Sequence, residues 1–82
     1  MNCRTVRMRD SLLLVSYNSV VAKVNLSDYN VTLYKDWDYG RTTVGHVTRF
    51  INNYTPLGVY GKKGIMSALK EGKITMGGYL DE

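Results

Sequence analysis

The side chains that most often carry out catalysis are scarce in this sequence. His46 is the only histidine, and its neighbours supply neither a nucleophile nor an orienting group for a general base. We expect it instead to hydrogen-bond a turn carbonyl and to pack on Phe50. Asp36 and Asp38 have no third acid near them, which predicts turn formers and not a divalent-cation site. Cys3, the only cysteine, can form no internal disulfide, which favours an inert thiol in a reducing compartment. The sequence therefore predicts a binding protein that is not an enzyme and has no metal or cofactor.

Aromatic side chains gather where the predicted strands give way to a helix. Tyr34, Trp37 and Tyr39 lie within this junction, and the chain has seven tyrosines. Tyr and Trp offer a large contact area at low entropic cost, so they are common anchors of binding interfaces. They also serve as core residues that fix a helix onto a sheet. We favour the core role for Trp37 and leave both roles open for the tyrosines.

The positive charge lies mostly in the second half of the chain. The net charge is +4, and residues 41–80 contain Glu71 as their one acidic residue. An anionic partner would suit this region, and so would a solvated face that keeps the protein soluble. The basic residues of this half are Arg41, Arg49, Lys62, Lys63, Lys70 and Lys73.

A short glycine- and lysine-rich stretch, Tyr60-Gly61-Lys62-Lys63-Gly64, precedes the second predicted helix. Glycines let a backbone approach an anion closely, and helix N-termini attract phosphate. The spacing does not match a nucleotide-hydrolysing phosphate loop. The stretch predicts either phosphate-backbone contact or a plain flexible turn.

The elements that must position these residues begin with four strands. Polar and apolar residues alternate over residues 4–9, which is typical of a strand with one wet face. Apolar, β-compatible segments follow at residues 12–17, 20–26 and 31–35, separated by turn residues. In the third segment the alternation places four residues on one face: Val20, Ala22, Val24 and Leu26. Short strands with short turns predict an antiparallel meander.

Two amphipathic helices are predicted next. The first covers residues 42–55, with Thr42 or Thr43 as its N-cap, and it ends before Pro56. The second covers residues 62–71, with Gly72 just past its end. Residues 73–82 predict either a final edge strand or a loose tail. The apolar stripe of the first helix consists of Val44, Val47, Phe50, Ile51 and Tyr54.

These elements predict a single α+β domain over residues 1–82. An antiparallel meander of about four strands would carry one or two helices on one face, leaving its other face to solvent or to a partner. The longest aliphatic run, residues 12–15, is far shorter than the roughly 18–20 residues of a membrane span. We therefore expect a cytoplasmic protein with no membrane contact.

Residues 37–51, with residues 16–22 upstream, resemble a family of small uncharacterised proteins carried by phages, plasmids and other mobile elements of Firmicutes. The family pattern is a Ser-Tyr-Asn strand, an aromatic-rich turn, and Thr-Thr-x-x-His opening an amphipathic helix that ends in Phe and an aliphatic residue. Gly40 stands where that pattern has a serine. The resemblance covers residues 11–55 and implies a mobile-element origin without an activity. Small non-structural proteins of that origin often inhibit host defence, including CRISPR effectors, or help handle DNA. The matching positions are Thr42, Thr43, His46, Phe50 and Ile51.

Two interpretations of the binding function follow. In the preferred one, a phage or mobile-element protein binds and inhibits a host or defence protein, such as a CRISPR effector, in an anti-CRISPR-like manner. In the alternative, a basic accessory protein contacts the phosphates of RNA or DNA through its second half, and its tyrosines stack on bases. Cations on one face would favour nucleic acid, and dispersed cations would favour a protein partner. Exposed strand edges at residues 4–9 or 73–79 would also permit a homodimer, which the arginines of the first edge would oppose.

Overall fold

The computed structural model of the chain describes residues 3–77. Its strands form one sheet in sequence order, with β1 to β4 antiparallel and β5 parallel to β4. This arrangement confirms the predicted α+β class, with one strand more than the predicted meander of four. Within residues 3–77 the elements are β1 (Cys3–Arg7), β2 (Ser11–Ser16), β3 (Ser19–Asn25), β4 (Val31–Leu33), α1 (Arg41–Tyr54), α2 (Gly61–Lys70) and β5 (Ile74–Met76).

The parallel pairing of β5 follows from the path of the chain. After β4 the chain passes through both helices before it returns, so β5 enters the sheet in the same direction as β4. Val31 pairs with Ile74, and Leu33 pairs with Met76. The sequence predicts either an edge strand or a loose tail for residues 73–82, and β5 agrees with the edge strand. Residues 78–82 of that segment lie outside the described residues.

A tight turn and a bulge shape the β2–β3 hairpin. Tyr17 and Asn18 form the two-residue connection, and both have positive φ (49° and 70°), as a type I′ turn requires. Leu14 pairs with Ala22 while Val15 pairs with Val20, so Val21 is an extra residue without a cross-strand partner. The predicted face of Val20, Ala22, Val24 and Leu26 is therefore wrong at its first position. Val21 is buried with Ala22, whereas Val20 is only half-buried.

The core lies between one face of the sheet and the two helices. Trp37 enters it from the loop between β4 and α1, which holds that loop against the sheet. Residues that alternate with the core positions face the other way. Within residues 3–77 neither helix covers that second face, whose central row is Val6, Leu13, Lys23, Thr32 and Thr75. The helices contribute Val47, Phe50, Ile51, Ile65 and Ala68 to the core.

Helix α1 begins differently from the prediction. Its N-cap is Gly40, and no side chain hydrogen-bonds the free amides of the first turn. The expectation that Thr42 or Thr43 caps the helix is therefore wrong. Both threonines lie inside the helix, and the hydroxyl of Thr43 is buried and directed towards Ser16.

The connection between the helices is fixed by one side-chain amide. Asn52 Nδ2 donates to the carbonyl of Val59 at 2.7 Å, and Asn52 Oδ1 accepts from the amide of Val59 at 2.8 Å. The side chain thus pairs with the Val59 backbone as a neighbouring strand would. Because Val59 is buried in the core, this pair of bonds sets where the chain re-enters the core before α2.

Candidate functional site

A cleft opens where the β2–β3 turn, the β4–α1 loop and the first turn of α1 meet. We call it the tyrosine cleft. Its volume is about 300 Å³. Its lining combines hydroxyl groups, one carboxylate and two aromatic rings around a buried valine. The lining residues are Ser16, Tyr17, Ser19, Val21, Asp36, Tyr39 and Thr43.

Local backbone geometry presents the two rings to solvent. Tyr17 occupies the first position of the tight β2–β3 turn and is 50% exposed. Tyr39 follows the buried Trp37 by two residues and is 81% exposed. Asp36, on the same loop, has φ of +71°, a conformation that Asp and Asn tolerate better than other non-glycine residues. The cleft is thus edged by two exposed rings on short, well-anchored connections.

A buried group of polar side chains lies behind the cleft. Ser16 Oγ lies 3.2 Å from His46 Nδ1 and 3.5 Å from Thr43 Oγ1. The ring of His46 also lies near that of Tyr17, with centroids 6.3 Å apart. The expectation that His46 hydrogen-bonds a turn carbonyl is therefore wrong, because its partner is the Ser16 hydroxyl. These contacts join the end of β2 to α1.

The Ser16–His46 pair has the residue types of a nucleophile and a general base. In catalytic pairs a third group orients the base. Among residues 3–77, no carboxylate hydrogen-bonds His46, and the Ser16 side chain is buried. What this geometry does supply is a link between the end of β2, next to Tyr17, and the first turns of α1, which carry Thr43 and His46.

The structure separates the predicted aromatic residues into two groups. Trp37 and Tyr34 are only 5% and 7% exposed, so their side chains are not offered at the surface. Tyr39 and Tyr60 are 81% and 83% exposed. Tyr17 was not among the predicted site residues. Its signal in the sequence was its place in a Tyr-Asn pair between two strands, where a two-residue turn directs the side chain outward.

The predicted basic residues lie on both helices and just beyond α2. Lys62 lies 3.6 Å from Asp38, which ties the start of α2 to the loop that carries Tyr39. Roughly 12 Å of helix separate Lys62 from Lys70, and Lys73 beyond it pairs with Glu71 at 3.1 Å. The remaining predicted cations are also exposed: Arg41 at the start of α1, Arg49 in its middle and Lys63 in the first turn of α2.

Residues 3–77 contain no group of three or more His, Cys, Asp or Glu side chains placed to hold a metal ion. Neither α1 nor α2, the two helices of that region, has the length and apolar character needed to span a bilayer.

Comparison with known proteins adds no relative. No family model, no curated protein and no solved structure matches this chain. The mobile-element origin therefore stays a prediction from the sequence pattern.

Proposed function

We propose that this chain is a non-enzymatic domain that binds a protein partner through the tyrosine cleft. The observation that carries the proposal is the pair of exposed rings, Tyr17 and Tyr39, beside a cleft of about 300 Å³. Tyrosine is enriched among the residues that dominate binding energy, because it buries a large area and keeps a polar tip. The cleft is at the small end of the roughly 300–1,000 Å³ range of ligand pockets. It therefore suits one side chain of a partner.

The residues that hold Tyr17 and Tyr39 in place favour binding. Trp37 is buried and holds the loop that carries Tyr39 against the sheet, and an exposed ion pair, Lys62–Asp38, lies between that loop and α2. Tyr17 stands on a two-residue turn that adjoins the partly buried Ser16–His46 bond. A surface that is ordered before binding loses less conformational entropy on association.

The charges favour a protein over a nucleic acid. The lining of the cleft includes the carboxylate of Asp36 and no Lys or Arg, so a phosphate placed there would meet like charge. The cations of the second half extend over both helices and the turn after α2, and two of them, Lys62 and Lys73, pair with carboxylates at the surface. Nucleic-acid binding draws on several cations that act together on neighbouring phosphates.

The sequence resemblance supplies the class of target. Small accessory proteins of phages and plasmids often inhibit a host or defence protein, so such a protein, for instance a CRISPR effector, is the proposed partner. The inhibitor would act by occupying a protein surface. The basic net charge of +4 is opposite to that of inhibitors that imitate DNA with an acidic surface.

The test is an affinity capture from a Firmicute lysate with two tyrosine variants. Tagged wild-type protein, Tyr39→Ala and Tyr29→Ala are compared, with and without nuclease. Tyr29 serves as a control because it is also an exposed tyrosine, but it lies in the β3–β4 turn at the other end of β3. We expect one protein that wild type and Tyr29→Ala retain after nuclease treatment, and that Tyr39→Ala loses by about tenfold or more.

Other outcomes count against the proposal. Equal retention by all three proteins would mean that the cleft is not the contact surface. Loss of the partner after nuclease treatment would favour nucleic acid instead.

One observation favours nucleic acid as the second candidate. Tyr60 is 83% exposed and directly precedes α2, whose first turn holds Lys62 and Lys63. An exposed ring beside cations can stack on an unpaired base while the cations contact phosphate. A fluorescent single-stranded oligonucleotide titrated with wild type and with Tyr60→Ala checks this. Binding that weakens steeply with salt, and that Tyr60→Ala weakens further, would support it.

A further inference from the structure

A second surface, separate from the tyrosine cleft, runs along the first strand. β1 lies at the edge of the sheet and pairs with β2 on one side only. Within residues 3–77 no element pairs with its other side. A strand edge of this kind presents unpaired amides and carbonyls in the spacing that another extended chain matches.

The edge adjoins a groove between β1 and α1, with a volume of about 170 Å³. Leu14 and Phe50 supply buried apolar surface in it, and Tyr54 packs edge-on against Phe50 with ring centroids 5.4 Å apart. Arg49 and Asn53 of α1 are exposed beside this apolar surface. Strands pair about 4.8 Å apart and their side chains alternate between faces. An extended segment paired with β1 would therefore direct every second side chain towards the groove.

The charges along this surface select the kind of segment. Arg4 and Arg7 are exposed on β1, and by strand alternation they lie on opposite faces of the sheet. Arg7 shares the helix side with Arg49, and Arg9 is exposed just beyond the strand. In residues 3–77 the ion pairs are Lys62–Asp38 and Lys73–Glu71, so no carboxylate of that region pairs with these arginines.

We propose that the edge of β1 and the β1–α1 groove bind an extended acidic segment of a partner protein as an added strand. Hydrogen bonds between the backbones of β1 and the segment hold the segment in place. The groove binds apolar side chains of the segment, and the arginines bind its carboxylates on both faces of the added strand. A second copy of this chain is the less suitable occupant, because pairing two β1 edges would bring arginines of both copies together. The surface shares no residue with the tyrosine cleft, so the inference goes beyond the proposed function and stands or falls separately.

The test uses synthetic peptides as probes in an NMR titration of the full chain. One eight-residue peptide repeats Glu-Glu-Val-Val, so that each face of the added strand carries both glutamate and valine. A second replaces each glutamate with lysine, and a third keeps the acidic sequence but carries alternate N-methyl groups that block strand pairing. We expect amide shifts in β1 and around Arg49 and Phe50 with the first peptide alone.

Two arginine variants separate groove binding from general charge attraction. Arg49→Glu changes a groove residue, whereas Arg41→Glu makes the same change at an exposed position on the same helix outside the groove. We expect Arg49→Glu to weaken binding of the acidic peptide by about tenfold or more, and Arg41→Glu by less than about twofold. Thermal melts of both variants confirm that the fold is intact.

Several results would overturn the proposal. These are no binding of the acidic peptide at millimolar concentration, equal binding of the lysine or N-methylated peptide, or shifts confined to the tyrosine cleft or the uncovered sheet face. A concentration-dependent dimer whose contact maps to β1 would instead assign the edge to a second copy. The outcome of the tyrosine capture experiment is unaffected by any of them, since Tyr39→Ala does not alter the groove.

Discussion

The side-chain amide of Asn52 offers a sharp test of how the two helices are joined. Asn52→Ala removes both bonds to Val59, which measure 2.7 and 2.8 Å. Val59 is buried, but Asn52 is exposed and both bonds are only partly buried, so water can reach the freed amide and carbonyl of Val59 in the variant. We expect the variant to fold with a lower melting temperature, because the loop before α2 is no longer held to α1.

The magnitude follows from the two bonds. A net contribution of about 1 kcal/mol each gives a loss of about 2 kcal/mol, because water can replace the lost partners of the freed groups. Alanine is a better helix former than asparagine, and this difference offsets at most about 0.7 kcal/mol of the loss in stability. A loss of 2 kcal/mol in a domain of this size lowers the melting temperature by roughly 8–16 °C.

The adjacent residue supplies a matched control. Asn53 lies on the same helix and has no hydrogen bond to the Val59 backbone, so Asn53→Ala should leave stability unchanged or raise it by a few tenths of a kcal/mol. Urea unfolding followed by circular dichroism measures both variants. The reasoning would be refuted by a difference of less than about 0.5 kcal/mol between them, which is smaller than one typical hydrogen bond.

Three other substitutions test the packing. Gly45 lies in the interior of α1, and no atom lies within 4 Å of the Cβ that alanine would add. Gly45→Ala should therefore raise the free energy of unfolding, measured in urea, by about 0.5–1 kcal/mol. A loss of stability would contradict the open space around Gly45. Gly77→Ala would place a Cβ 2.8 Å from Tyr34 Cε1 and 2.9 Å from Thr32 Cγ2, so the same measurement should show a loss of about 1–3 kcal/mol; a neutral result would show that the chain at Gly77 shifts freely. Trp37→Ala should cost about 3–5 kcal/mol by thermal melt, and a cost below about 1 kcal/mol would contradict its place in the core.

Periodicity predicted the parts of the fold that depend on neighbours in the chain. The apolar stripe of α1 results from burying one face of the helix, and its central residues are buried in the structure. The alternation predicted over residues 4–9 recurs only in part, because β1 ends at Arg7 and Val6 lies on the face that neither helix covers. The helix bounds of Arg41–Tyr54 and Gly61–Lys70 begin and end one residue before the predicted ones. The ends of the helices could be predicted from Pro56 and the glycines around α2, because these residues act through local backbone geometry.

The features that the sequence did not reveal depend on distant residues. The bulge at Val21 reverses the side-chain alternation of β3, and no turn residue marks it. Ser16 and His46 are thirty residues apart in the chain, so their contact has no local pattern. Thr43 fits a cap by type, but its hydroxyl instead lies near Ser16, where burial favours a polar partner.

The candidate site was only partly predictable for the same reason. Exposure decides whether an aromatic residue serves a surface or a core, and Trp37 and Tyr39 differ in exposure although they are two residues apart. Tyr39 and Tyr60 emerge as surface residues, while Tyr34 and Trp37 are buried. Their burial depends on which elements cover them, and that is set by the tertiary fold.

The parallel pairing of β5 with β4 has a consequence for how the chain is made. The hairpins of β1 to β4 connect neighbours and can form within microseconds. β5 closes a loop of roughly forty residues and must wait for both helices. Until Ile74 has left the ribosome, β4 remains an open edge and the core lacks a side chain that is fully buried in the finished fold. A nascent or truncated chain that stops before Ile74 therefore has an unpaired edge on β4 that can pair with another chain. Aggregation during biosynthesis should begin at this edge.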